Sequence, residues 1–276
     1  MQPVGGFCVE CYNQYTLMLV GNLMEKKSFI IDMDGVLIAG KKMIPGADEF
    51  IKKMKSKQIK FLVLTNNSIY APVDLAHRLQ TAGLDIEKNQ IFTSAMATAN
   101  FMKAQKKTGS AFVIGESGLN VAIHDAGYIM ASDNVDFVVL GETFNYDLHQ
   151  ITKAIRLIHN GARFLATNPD PTGPSDGGIV PATGAMAALI EKASGKSPFY
   201  CGKPNPFMIR SALNYLGVHS ESTTMIGDRM DTDILTGIQT GMETILVLSG
   251  VTSLKDISGY PYQPNHIVKS VAEIKI

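Results

Sequence analysis

The sequence has no tryptophan, only three cysteines and no net formal charge, and each shortage removes a class of protein. Cys8, Cys11 and Cys201 cannot build a disulfide framework, so apolar burial must close the core, and the reducing cytoplasm is the natural setting. The 25 basic residues cancel the 25 acidic ones, which leaves no long-range field to gather nucleic acid or an anionic membrane surface. A bilayer span takes about 20 apolar residues. The stretch from Tyr15 to Met24 is shorter and lacks the basic segment that precedes a secretory core. Several motifs also fail on inspection. Gly195-Lys196-Ser197 has Ile190 where a P-loop needs glycine, and Gly115-Glu116-Ser117-Gly118 has Leu119 where a nucleophile elbow needs one. No G-x-G-x-x-G follows the first strand, the six histidines show no ligand spacing, and the Cys8/Cys11 pair lacks the two further ligands of a zinc site.

What is present is an ordinary globular composition of 276 residues, 45% hydrophobic and 18% charged, enough for one large domain or two medium ones. Residues 1–23 show no periodicity and read as an extension of unknown role ahead of Met24. Beyond it, short apolar runs alternate with segments of helical period. The runs predict strands at Phe29–Ile31, Phe61–Leu64, Ile91–Thr93, Ala111–Ile114, Phe137–Leu140, Arg163–Ala166, Thr224–Ile226 and Thr244–Leu248. Helices are expected at Ala47–Lys57, Ala71–Ala82, Ala95–Gln105, Leu148–Asn160, Gly184–Ala193, Pro206–Leu216 and Asp233–Thr240. Gly83, Gly161, Gly195, Gly217 and Gly241 stand where left-handed helix caps belong. The pattern is that of an α/β fold, a parallel sheet covered by helices. One loop, Asn168–Thr183, is too long and too rich in Pro, Gly, Ser and Asp to be a mere connection.

Four elements carry chemistry. Asp32-Met33-Asp34-Gly35 puts two carboxylates at the carboxyl end of the first strand, where open α/β sheets bind ligands, and their mutual repulsion calls for a cation. Thr65-Asn66-Asn67-Ser68 supplies neutral donors suited to phosphate oxygens, although the same residues could simply cap the next helix. Gly202-Lys203-Pro204-Asn205-Pro206 fixes a lysine in a rigid frame before a helix. Gly227-Asp228-Arg229-Met230-Asp231-Thr232-Asp233 places three acids at a helix start, where they complement the dipole or, through Asp228, complete an oxygen-rich Mg²⁺ site. The ordered set is far more specific than any member.

That set, D-x-D-G, T-N, G-K-P and G-D-x-x-x-x-D, resembles the haloacid dehalogenase superfamily of phosphotransferases from about Ser28 to Ile276. It is most similar to the NagD-like branch of nucleotide phosphatases. Thr93–Thr98, Gly161–Phe164, Ala166–Asp170, Phe199–Pro204 and Glu243–Val251 carry this closer likeness.

The resemblance implies a Rossmann-like core, residues 24–101 plus 197–276, with an α/β cap of the C2 type at 102–196. It implies a nucleophile at Asp32, an acid and base at Asp34, and Mg²⁺ held by the Asp32 carboxylate, the Asp34 carbonyl and Asp228. Thr65, Asn66 and Lys203 would hold the phosphoryl group, and Arg229, Met230, Asp231 and Thr232 would border the substrate. Asp233 would orient Lys203 or metal-bound water, and Asn168 and Asp170 would belong to the cap loop that selects substrate. The implied activity is hydrolysis of small phosphometabolites, nucleoside monophosphates such as UMP first, then sugar, three-carbon and p-nitrophenyl phosphates. The implied assembly is a homodimer through the cap. Asp231, where near relatives often carry a neutral residue, and the run Pro171–Ser175 depart from the branch at positions that set leaving-group preference. Asp34 argues against carbon–halogen hydrolysis, and about 30 residues between the first two motifs leave no room for a mutase cap. A binding module without turnover would not need to keep Asp32, Asp34, Lys203 and Asp228 together.

Overall fold

Apolar runs bounded by glycine and by polar turns become strands, and amphipathic segments become the helices that cover them. The computed structural model describes residues 28–175 and 178–276; the 1–23 extension, Met24 and the Cys8/Cys11 pair lie outside the described residues. In chain order the elements are β1 (Ser28–Asp32), the hairpin β2 (Ile38–Ala39) and β3 (Lys42–Met43), α1 (Ala47–Ser56), β4 (Lys60–Thr65), α2 (Pro72–Thr81), β5 (Ile91–Thr93) and α3 (Ser94–Gln105). Then come β6 (Gly109–Ile114), α4 (Ser117–Asp125), β7 (Tyr128–Met130), β8 (Phe137–Leu140), α5 (Leu148–His159), β9 (Arg163–Ala166), the hairpin β10 (Thr172–Ser175) and β11 (Gly178–Pro181), and α6 (Thr183–Ser194). The chain finishes with β12 (Phe199–Tyr200), α7 (Pro206–Leu216), β13 (Thr223–Gly227), a π turn (Met230–Ile234), α8 (Leu235–Gln239), β14 (Glu243–Val247) and β15 (His266–Val268). Among the described residues no helix is long and apolar enough to cross a membrane.

The described chain falls into two compact units. Residues 28–62, 81–85 and 216–276 form the first, and 63–80 with 86–215 form the second. In the first, the strands lie in the order β15-β14-β13-β1-β4. β1 runs parallel to β13 with Ser28 opposite Thr223 and Ile31 opposite Ile226, so both strands end level at Asp32 and Gly227. Every residue of β1 and β13 is buried, the continuous apolar signature of a sheet covered on both faces. β4 carries the chain into the second unit, where Val63, Leu64 and Thr65 pair in parallel with β5.

The second unit holds a five-stranded sheet in the order β12-β9-β8-β6-β7, parallel throughout. Alternation along β8 explains its position between two cores. Val138 and Leu140 pack with Ile151, Ile158, Phe164 and Ile190 of α5, β9 and α6. Phe137 and Val139 face the other way, into Ala95, Met102, Leu119 and Ile123 of α3 and α4.

All five glycines expected to cap helices take positive φ, from 68° to 104°. The structure adds what short patterns hide. The segment that fails as a nucleophile elbow opens α4, and Gly118 is glycine because a Cβ there would run into the Tyr70 backbone. The long loop contains the β10–β11 hairpin, with Thr172 opposite Pro181. The helix expected from Asp233 begins instead as the π turn at Met230.

If the helices of the second unit are held by the core and not by their own propensity, Ile190→Ala in α6, at a fully buried position, costs about 2–5 kcal/mol in urea denaturation. Leu148→Ala, whose parent side chain is 73% exposed, costs under about 0.5 kcal/mol. Equal losses at the two positions would refute this division.

Candidate active site

The first unit builds a carboxylate cluster. Asp32 ends β1, Asp228 follows β13, and Asp233 lies in the π turn; each offers an oxygen, and the three lie within 4.8 Å of one another, all buried. Asp34 stands apart as exposed, at the tip of a turn closed by Gly35 N–H to Ile38 O at 2.8 Å and Leu37 N–H to Met33 O at 3.0 Å. One carboxylate of the D-x-D-G turn is therefore enclosed beside other anions while the other meets solvent. The two carboxylates of one turn thus lie in different surroundings, one buried in the cluster and one exposed.

Glycine makes the cluster sterically feasible. Gly35 has φ of 80°, and a Cβ there, or at Gly250, would run into the Asp228 carboxylate. A Cβ at Gly227 would occupy the space of the Asp233 side chain. Backbone donors then set the carboxylates. Asp228 Oδ2 accepts from Val251 N–H at 2.7 Å, and Asp233 Oδ2 accepts from the amides of Asp228 and Arg229, both at 3.2 Å. Ser249 donates its hydroxyl to Gly35 O at 2.7 Å, and Met230 N–H reaches Thr252 Oγ1 at 3.3 Å. Ser249, Gly250 and Val251 count toward the family likeness in sequence but, like Thr252, receive no role there, because without charge or metal-binding chemistry their contribution is a backbone path that only the fold reveals. Arg229 forks onto Asp231 with bonds of 3.0 and 2.8 Å, while Thr232 and Met230 are buried.

The second unit gathers the neutral and cationic residues. Thr65, at the end of β4, is buried and its Oγ1 accepts from Asn67 N–H at 3.1 Å. Lys203 is 3% exposed, with Nζ 3.4 Å from Leu64 O. Asn66 sits between several partners. Its amide nitrogen donates to Asp170 Oδ2 at 3.0 Å and Lys203 O at 3.1 Å, and its Oδ1 accepts from Lys203 N–H at 2.8 Å. Asn168 donates to Asn66 O at 3.1 Å, and Ser94 does so at 2.6 Å. The structure thus joins Asn66, Asn168, Asp170 and Lys203, and it engages the Asn66 side chain with the Lys203 peptide, whereas the sequence reading assigned Asn66 to phosphoryl oxygens. Cys201, two residues before Lys203, is no rival nucleophile: burial pushes its thiol up to about 12, against the smaller downward pull of a Thr98 hydrogen bond.

An all-oxygen, all-carboxylate donor set suits a hard divalent cation, so the residues present fit the Mg²⁺ that the motifs imply. Such a cluster lies at the carboxyl ends of parallel strands, where open α/β sheets bind their ligands. Two family models agree: residues 29–129 match haloacid dehalogenase-like hydrolases, and residues 200–274 match a HAD-hydrolase-like model. The chain belongs to the haloacid dehalogenase superfamily, in its NagD-like phosphatase branch. It is 56% identical to a dihydroxyacetone phosphatase of Corynebacterium glutamicum over 247 residues, 90% of each chain. It is 47% identical to the ribonucleotide monophosphatase NagD of Escherichia coli over 253 residues, 92% of this chain and all of that one. The solved structure of that NagD superposes with a TM-score of 0.86 over 91% of this chain and 99% of the other.

A cation that neutralises the buried cluster stabilises the folded state by mass action. Millimolar MgCl₂ is expected to raise the melting temperature of the wild type in a thermal-shift assay and to leave that of Asp228→Asn nearly unmoved. An equal rise in both proteins would show that magnesium binds elsewhere.

Proposed function

We propose that this protein is a Mg²⁺-dependent phosphomonoesterase that hydrolyses small phosphorylated metabolites through an aspartyl-phosphate on Asp32. The observation that carries the reading is the pairing of a buried Asp32, inside a three-carboxylate cluster, with an exposed Asp34 two residues later. In the first step an Asp32 oxygen bonds to phosphorus, the bond to the ester oxygen breaks, and Asp34 gives that oxygen its proton. In the second step Asp34 takes a proton from water as the water oxygen attacks phosphorus, releasing inorganic phosphate and the Asp32 carboxylate. Asp32, Asp228 and the Asp34 carbonyl would hold Mg²⁺, with Asp233 as a further carboxylate of the cluster; the ion, when bound, offsets the negative charge that the phosphoryl group brings. The Lys203 ammonium and the Thr65 hydroxyl serve the phosphoryl oxygens, a fixed positive and a fixed neutral donor that need no reorganisation during the reaction.

We assign residues 24–101 and 197–276 to the catalytic core and 102–196, with strands β6 to β9 and the β10–β11 hairpin, to a cap that screens the leaving group. The likeness to a dihydroxyacetone phosphatase, at 56% identity, supports three-carbon esters such as dihydroxyacetone phosphate ahead of the nucleoside monophosphates that the motifs alone favour.

Phosphate release from dihydroxyacetone phosphate, UMP, sugar phosphates and p-nitrophenyl phosphate, with and without Mg²⁺, tests both levels of this reading. Turnover is expected only with the metal, with the highest kcat/KM on the three-carbon ester and a loss of about 10³-fold or more in Asp32→Asn. Turnover retained by the folded Asp32→Asn protein would sink the mechanism, and a higher kcat/KM on UMP would reverse the substrate order.

A further inference from the structure

A primary amide has two N–H donors and one carbonyl oxygen. In Asn66 both donors and the oxygen are engaged, and two of the three bonds go to the two ends of one residue: Lys203 N–H to Oδ1 at 2.8 Å and Nδ2 to Lys203 O at 3.1 Å. This is the pairing of one strand residue with another, made by a side chain. It requires Gly202, where a Cβ would meet Thr167 O and, at 2.6 Å, Asn66 Oδ1. The third bond runs to Asp170 Oδ2. Asp170 is itself tied down, its amide donating to Asn168 Oδ1 at 3.1 Å and its carbonyl accepting from Gly184 N–H, at the start of α6, at 2.9 Å. The Asn66 carbonyl is held from two further sides by Ser94 and Asn168. An amide so enclosed does not turn toward a ligand without leaving Lys203 N–H and O in a buried setting without these partners.

We propose that Asn66 is a positioning residue, not a phosphate ligand: its side chain fixes the Lys203 peptide, and Asp170 braces Asn66. This rests on the phosphatase reading for the role of Lys203, but the hydrogen-bond geometry stands without it. A lysine has four side-chain torsions between backbone and charge, so its ammonium is placed only as well as its Cα is. Displacement of a catalytic group by about 1 Å can cost about 10²-fold in rate. Asn66 therefore acts on turnover through Lys203 and leaves affinity for phosphate to other groups.

The experiment has two arms. Hydrogen exchange of the peptide spanning residues 200–206 needs no activity; Asn66→Ala is expected to speed exchange of the Lys203 amide by about tenfold or more, and Asn66→Asp, which keeps an acceptor oxygen, to speed it less. In the kinetic arm, with p-nitrophenyl phosphate, Asn66→Ala lowers kcat by about 10- to 100-fold, leaves KM and inhibition by inorganic phosphate within about threefold, and lowers kcat by less than about twofold when added to Lys203→Met. Unchanged exchange at Lys203 overturns the proposal, as does a kcat loss that multiplies undiminished in the Lys203→Met protein or a tenfold weakening of inhibition by phosphate. Should the wild type hydrolyse no ester, the phosphatase reading falls alone, and the exchange arm decides whether Asn66 fixes Lys203. Melting curves confirm folding, and Asn66→Asp carries the test if Asn66→Ala does not fold.

Discussion

Three buried carboxylates within 4.8 Å of one another repel, and the surrounding fold exists in the form it does because it must hold them there. At an effective dielectric near 20, two unit charges at that distance repel by about 3.5 kcal/mol. That cost is met in part by backbone amides aimed at Asp228 and Asp233, which need short approaches, and short approaches need glycine at positions 35, 227 and 250. The π turn belongs to the same solution. Asp233, within this turn, sets its Oδ2 against the two amides that follow β13. A divalent cation held by these carboxylates would offset the remaining repulsion.

The second unit solves a complementary problem, that of holding a positive charge in a buried place. Lys203 is 3% exposed, and burial of an ammonium is tolerated only where it has anions or carbonyl dipoles around it. The Lys203 peptide is fixed by Asn66, and Asn66 by Asn168 and Asp170, so the loop after β9 takes part in placing the lysine. A segment expected to choose substrates thus also supports the group proposed to serve the phosphoryl oxygens. Substitutions in it should therefore alter turnover and selectivity together.

Most of this was legible in the sequence, for definite reasons. Segments such as Phe137–Leu140 and Phe164–Ala166 are buried on both faces, so they read as unbroken apolar runs, and helix ends at Gly161, Gly195 and Gly217 announce themselves by the residue that takes positive φ without steric cost. Asp32, Asp228 and Lys203 stood out because charge at a strand end is chemically conspicuous. The β10–β11 hairpin was hidden because its strands are short and β11 is exposed along its whole length, with no buried face to impose alternation. Helix α4 was hidden because its start matched part of another motif. The use of the Asn66 amide was hidden for a different reason: a side chain that can donate and accept carries no sign of which partner it will take until the fold supplies one.

Asp231 shows how the fold can change the meaning of a residue. As a sequence departure it adds a negative charge beside an anionic substrate site, which would oppose binding. In the structure both carboxylate oxygens take bonds from the Arg229 guanidinium, so Asp231 presents a paired dipole in place of a lone charge. The pair is partly exposed, 28% at Arg229 and 50% at Asp231, so its worth to stability is small. Its effect is on the field. With the Asp231 charge cancelled locally, that residue would neither draw in nor turn away a leaving group by charge, and discrimination at a substrate site bordered by it would fall to shape and to the hydrogen bonds that the alcohol part can make. A hydroxyl or carbonyl on a three-carbon leaving group offers such bonds, and sites built to pair with one reject analogues that lack it far more sharply than apolar pockets reject a missing methylene.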